Sequence, residues 1–489
     1  MKRYVAALLL CALTQTSPAW AQDDAALARI RDEGLNRSQV HVLFNHLTNV
    51  IGPRLTGTPA FKQSVDWSAQ KFREYGLASV HLESFPFGRG WTLEAQTVEL
   101  TAPRYMPLIA YAEAWTPSMA REVVAKPVYI GDYANADSVK AHISELRGAI
   151  VLATKPQDFF ITRDRLQPTA HDQPVPIGAP RANNASGPLA RNVLPQMLRD
   201  AGAAAVLRPT EGNEGTMFVL GSRLSTAENS VPSLIVSSEQ YNMLVNGLRA
   251  GAALKLRVNV QTRYHSADTN SYNVIAEIPG TDPVVGDEVV LLGAHIDSWH
   301  SATGAADNAD AVAELMEAMR ILKVTGVKPK RTIRAAIWGG EEQGLLGSRA
   351  YAQAHYAGDA NAKARDKFSV YLNNDPGTGP IYGWYAEGNS AAKGVFDEWL
   401  APLKDIGARR NIIEKIGNTD HLSFIAVGLP GFNTIQDYAE YDTRVHHTNM
   451  DFADRVDPNG LKQASVVLAS FAYRAAMRDG KFPRAAVTP

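Results

Sequence analysis

From Ser271 onward the chain alternates short, unbroken apolar runs with segments of helical spacing, and this alternation restricts its fold more than any other feature. Glu288-Val289-Val290-Leu291-Leu292 is one such run and stops at Gly293. Thr332 to Trp338 is a second, ending in Gly339-Gly340, and Phe368 to Leu372 a third. Strands with one wet face alternate apolar and polar residues; unbroken runs imply that both faces are covered. Between the first two runs, Asn308 to Lys323 sets Val312, Leu315, Met316, Met319 and Leu322 on one helical face, and Leu461 to Met477 closes the chain as a helix. The expected architecture is α/β: a mixed, mostly parallel sheet sandwiched by helices.

The N-terminal half carries a second texture. Helical segments flank a turn at Ile51 to Pro59, and the helix Ser64 to Tyr75 stops at Gly76. Strand-like runs follow at Val80 to Phe85 and Thr97 to Thr101. From Lys126 to Tyr264, short strands at 128–130, 149–152, 203–207, 233–236 and 254–260, with a helix at 189–200, read as a smaller α/β module. The expected organisation is a main domain built from 22–125 and 265–489, interrupted by an insertion at 126–264.

The first residues read as an address. Lys2 and Arg3 precede an apolar run, Val5 to Leu13, that is too short to span a bilayer, and Ala19-Trp20-Ala21 has the spacing of a signal-peptidase site. Residues 1–21 are therefore expected to be removed on export. Cys11, the single cysteine, lies inside this leader, and the bulky Leu10 before it argues against lipidation. The mature chain then has no thiolate nucleophile, no disulfide and no cysteine-held metal. An exported chain without disulfides suggests the periplasm, or secretion. Forty-nine basic residues against 50 acidic ones give no field that would favour nucleic acid, and no later segment is long and apolar enough to cross a membrane.

The acidic and histidine residues concentrate at the ends of the predicted strands. His295 and Asp297 follow the first run, Asp307 opens the next helix, Glu341 and Glu342 follow the second run, and Asp375 follows the third. His447 lies in a loop near the end. Ligands in open α/β sheets bind beyond the carboxyl ends of the strands. Imidazole and carboxylate suit zinc, and two zincs about 3.5–4 Å apart need a bridging carboxylate. Asp307 suits the bridge, His295 and Asp375 complete one shell, and Glu342 and His447 the other. Glu341 is left without a metal and suits a general base; Asp297 suits orientation of His295.

Five segments carry a resemblance: Gly293-Ala294-His295-Ile296-Asp297-Ser298-Trp299, Gly304-Ala305-Ala306-Asp307-Asn308, Trp338-Gly339-Gly340-Glu341-Glu342-Gln343-Gly344, Asn374-Asp375-Pro376-Gly377 and His446-His447-Thr448. Together they resemble the two-zinc exopeptidase family of bacterial zinc aminopeptidases, glutamate carboxypeptidase and plasma glutamate carboxypeptidase (carboxypeptidase Q). The likeness extends to the turn Gly52 to Gly57 and to an insertion similar to a protease-associated domain. It implies the same five metal ligands and Glu341 as base, with Asp451 as the acidic residue four beyond His447. It also implies a role for His446 as donor to the oxyanion, and pocket lining by Asp420 and His421.

What the resemblance implies is an exported metallo-exopeptidase holding two zinc ions and acting on small peptides, as an aminopeptidase or dipeptidase. A carboxypeptidase, a non-catalytic receptor-like relative and a single-zinc glutaminyl cyclase are the alternatives. A homodimer is compatible with the insertion.

Overall fold

The computed structural model describes residues 19–133, 135–170, 194–375 and 377–485, with side chains from residue 24 onward. The expected leader and Cys11 lie outside these residues, apart from the backbone of 19–21, which begins the helix Ala19–Asn36.

The main sheet has seven strands: β1 (Ala78–Pro86), β2 (Asn270–Ile278), β3 (Val289–His295), β4 (Thr332–Trp338), β5 (Phe368–Asn373), β6 (Gly383–Tyr385) and β7 (Gly431–Ile435). Their spatial order is β1-β2-β4-β3-β5-β7-β6. The central strands β4, β3, β5 and β7 are parallel, while β2 and β6 run against their neighbours. The mostly parallel sheet is thus as expected, with antiparallel pairing confined to its flanks.

The unbroken apolar runs are explained by burial on both faces. Val290, Leu292 and Ala294 enter one core with α1 (Asp310–Val324) and α2 (Pro458–Met477). Val289 and Leu291 point the other way, into a cluster with Tyr351, Phe368, Tyr371 and Phe424. Gly293 sits where a Cβ would lie 2.2 Å from the Tyr371 hydroxyl and 2.7 Å from Trp338 Nε1, so no larger residue fits there.

Two sequence boundaries move. β3 was expected to stop before His295, but pairing with β4 continues to His295 opposite Trp338. The helix expected from Asn308 begins at Asp310: Asp307 (φ −133°, ψ 81°) and Asn308 (φ −141°, ψ 44°) are non-helical. Asp307 therefore does not cap α1, and its carboxylate is free to face the sheet edge.

Residues 90–265 build two further sheets. One is five-stranded, in the order Ala110–Ala112, Ser233–Val236, Ala205–Pro209, Ile150–Leu152, Pro127–Tyr129, the last four parallel. The other joins Met106–Pro107, Gly90–Ala102, Lys255–His265 and Val123–Ala125 in antiparallel fashion. Leu152, Leu207, Leu234, Leu256 and Val258 share one core.

Candidate metal centre

Five separate segments bring the chemistry together at the carboxyl edge of the main sheet. His295 is the last residue of β3; Asp307 lies in the turn before α1; Glu341 and Glu342 follow β4; Asp375 follows β5; His447 sits in the loop after β7. Parallel neighbours end on the same edge, so a residue just past each strand end reaches the same space.

Asp307 is at the centre. Its Oδ1 lies 3.3 Å from His295 Nε2, and its Oδ2 lies 3.3 Å from His447 Nε2. His295 Nε2 is 3.8 Å from Asp375 Oδ2, and His447 Nε2 is 2.8 Å from Glu342 Oε2. The carboxylate thus faces an imidazole on each side, each of which faces a second carboxylate. Donor atoms of His295, Asp307 and Asp375 all lie within 4.8 Å of one another, as do those of Asp307, His446 and His447.

The supporting layer is backbone-rich. Asp297 accepts from the N–H groups of Glu341 (3.1 Å) and Glu342 (3.2 Å) and from Thr56 Oγ1 (3.0 Å), so it holds the glutamate pair in place. Its carbonyl lies 3.0 Å from His295 Nδ1, which directs Nε2 at Asp307. Asp451 accepts from the N–H groups of Ala306 (2.7 Å) and Asp307 (3.2 Å), pinning the turn. Trp299 Nε1 donates to Glu342 Oε2 at 2.7 Å. Gly304 has φ +61°, and a Cβ there would lie 2.3 Å from that of Ser298.

Arg54 is fully buried beneath this turn. Its guanidinium donates to the carbonyls of Ile296, Leu47, Gly52, Thr303 and Gly304. Burial lowers its pKa to about 10, against the pull of Asp451, Asp297 and Asp307. The sequence showed Arg54 only as part of a turn. Three of its five carbonyl partners lie 242 to 250 residues away, which is why spacing carried no sign of its role.

The electrostatics of the cluster favour a cation. Burial pushes Glu341 and Glu342 well above the ordinary carboxylate range, with neighbouring carboxylates adding to it. Burial opposes the charged form of His295, but Glu341, Asp297, Asp307 and Asp375 outweigh it and raise its pKa. Asp307 Oδ2 and Glu342 Oε1 are buried without a hydrogen-bond partner. Orphaned carboxylate oxygens beside two imidazoles are costly unless a positive ion faces them. The donor set, nitrogen and carboxylate oxygen without sulfur, fits zinc.

Two expectations concern neighbours of this set. His446 stacks on Tyr441 (ring centroids 5.2 Å apart), lies tilted against His447 (3.7 Å), and is half-buried. Asp420 and His421 are buried; both Asp420 oxygens lack a hydrogen-bond partner, and burial raises its carboxyl to about 7. His421 Nε2 lies 3.3 Å from Glu387 Oε1.

The chain is similar to several known proteins. Human carboxypeptidase Q is 24% identical over 438 residues, covering 90% of this chain and 85% of the relative. Leupeptin-inactivating enzyme 1 of Streptomyces exfoliatus is 31% identical over 169 residues, 34% of this chain and 36% of the relative. Among solved structures, a Peptidase M28 precursor from Shewanella amazonensis SB2B superposes with a TM-score of 0.71 at 24% identity, covering 95% of this chain and 99% of that one. A zinc aminopeptidase from Bacillus subtilis gives 0.60 at 20% identity, covering 90% and 96%. Residues 273–472, which contain His295, Asp307, Glu341, Glu342, Asp375 and His447, match Peptidase family M28. Residues 273–472 thus match a Peptidase family M28 domain, and the chain has the fold of a solved Peptidase M28 precursor.

Proposed function

We propose that this protein is an exported two-zinc exopeptidase that cleaves small peptides, as an aminopeptidase or dipeptidase. The position of Asp307 between His295 and His447 carries the reading, because one carboxylate with an imidazole on each side is what two adjacent ions require. His295 and Asp375 would hold one zinc, Glu342 and His447 the other, and Asp307 both. When bound, the ions supply Lewis acidity, which lowers the pKa of water and offsets negative charge developing on the scissile carbonyl.

The remaining chemistry belongs to side chains. Glu341 is buried beside the ligands but pairs with none of them. Its raised basicity suits a group that takes a proton from the attacking water and returns it to the leaving amine. Asp297 fixes that carboxylate by holding its own backbone N–H. His446, half-buried and tilted against His447, offers a ring N–H to the carbonyl oxygen as charge builds there. Trp299, against Glu342 and edge-on to His447 at 6.0 Å, restricts water on one side.

A carboxypeptidase is the second reading, favoured by the similarity to carboxypeptidase Q along 90% of the chain. The deciding experiment measures turnover of matched dipeptides with free or blocked amino termini, with and without chelator. Chelator-sensitive cleavage of only the free-amine peptides, falling at least ~1000-fold in Glu341→Gln, is the expected result. Cleavage of blocked peptides would move the assignment to a carboxypeptidase, and no cleavage by zinc-loaded protein would sink the peptidase reading. His446→Ala should lower kcat about 10–100-fold while leaving KM nearly unchanged; unchanged turnover would remove His446 from the reaction.

A further inference from the structure

The loop carrying His446 and His447 is gripped on two flanks by segments of the five-stranded-sheet region, beside its contacts with the main sheet, such as Tyr438 to Tyr385. On one flank, Arg165 clasps Asp442. Its backbone N–H (2.8 Å), Nε (2.8 Å) and Nη2 (2.6 Å) all donate to the Asp442 carboxylate. Both side chains are nearly buried, 11% and 4% exposed, so this is no solvated surface pair. The guanidinium also lies 5.0 Å from the Tyr438 ring centre and 5.2 Å from that of Tyr441. Beside it, Asp164 accepts from the backbone N–H groups of Glu440 and Thr443, both at 2.9 Å.

On the other flank the contact is backbone pairing. Val219 N–H donates to the His447 carbonyl at 3.0 Å, Asn449 N–H donates to the Met217 carbonyl at 3.1 Å, and Phe218 bridges Thr448. Met217 N–H donates to Asn449 Oδ1 at 2.7 Å. His447 itself has φ +62°, a left-handed conformation uncommon outside glycine.

A continuous run of contacts connects the clasp to the metal ligand. Arg165 faces Tyr441; Tyr441 stacks on His446; His446 lies tilted against His447; His447 faces Glu342 and Asp307. His295 and Asp375 have no part in it, since they are set by β3 and the end of β5.

We infer that Arg165 is a positioning residue for the metal site whose ligands are Glu342 and His447, and that the five-stranded-sheet region thereby controls one metal position independently of the other. The inference rests on the two-zinc reading above. It makes a specific prediction: weakening the clasp lowers affinity at one of two metal positions and leaves the other in place.

The test is a zinc titration of the metal-free full chain, followed by calorimetry and by the visible absorption of the cobalt-substituted protein. Wild type should bind two ions. Arg165→Met should keep one ion at wild-type affinity and bind the second at least ~10-fold more weakly, the loss typical of removing support behind a ligand. Arg165→Lys, which keeps the charge but loses the fork, should fall between the two. Arg249→Ala breaks an exposed pair with Asp132 in the same region and should leave both affinities unchanged. Two unchanged affinities in Arg165→Met would overturn the inference, as would an equal loss at both positions. Wild type binding a single ion would instead overturn the two-zinc reading. Should Arg165→Met fail to fold, the Arg165→Lys titration decides, because equal affinities in it and wild type would also overturn the inference.

Discussion

Asp297 accepts three hydrogen bonds from two remote parts of the chain, Thr56 on one side and the Glu341 and Glu342 backbone on the other. Removing its carboxylate leaves those buried donors unsatisfied, at roughly 1–3 kcal/mol each before relaxation. It also frees the segment that orients His295 and the glutamates. Asp297→Ala is therefore expected to lower both thermal stability and zinc affinity, the latter about 10–100-fold. Competition with a chromophoric chelator checks this; wild-type affinity would show that His295 is oriented without Asp297. The pairing of His295 with Asp297 was legible in the sequence from their spacing. What could not be read was that Asp297 mainly serves the glutamates, 44 residues later.

The elements are joined by groups that spacing does not reveal. His300 follows the His295 segment yet lies against the other sheets: its Nε2 meets the Ala112 carbonyl at 2.8 Å, and its ring meets Trp91 edge-on at 5.0 Å. Burial lowers its pKa from 6.5 to about 4. The unfolded imidazole takes up a proton below 6.5, whereas the folded one stays neutral until about 4. Its contribution is thus complete above pH 6.5 and is lost as pH falls toward 4, by up to about 3 kcal/mol. Denaturant unfolding across that window should show the decline, and His300→Gln should flatten it; an unchanged slope would place the pH dependence in other groups. Strand and helix identities themselves were legible, because β4 spans the expected residues and β5 runs one residue beyond them. The start of α1 was not. Asp451, 144 residues from Asp307, holds the turn open, and no local preference encodes that.

At the scale of the whole molecule, the expected leader makes a prediction of its own. Expression in a bacterial host should yield, in the osmotic-shock fraction, a chain beginning at Gln22, verified by intact mass and N-terminal sequencing. A chain retaining Met1 in the cytosol would remove the export reading. Among the described residues no helix is long and apolar enough to cross a membrane. Residues 90–265 reach the carboxyl edge of the main sheet, where Trp115 stands edge-on to Trp299 at 6.4 Å and Val219 pairs with His447.

Taken alone, the sequence determined the main sheet and where the metal-capable residues stand along it. Unbroken apolar runs require burial on both faces, parallel strands end on one edge, and the metal-capable residues stand just past those ends. Those are consequences of local periodicity and of a general rule for such sheets. Tertiary structure alone decided how the candidate metal-binding residues are held. Arg54 beneath the turn, Asp451 against its backbone, Trp299 on Glu342 and Arg165 on the His447 loop act across 43 to 277 residues of sequence. A buried polar group must find a partner wherever the fold supplies one, and that demand leaves no periodic trace in the chain.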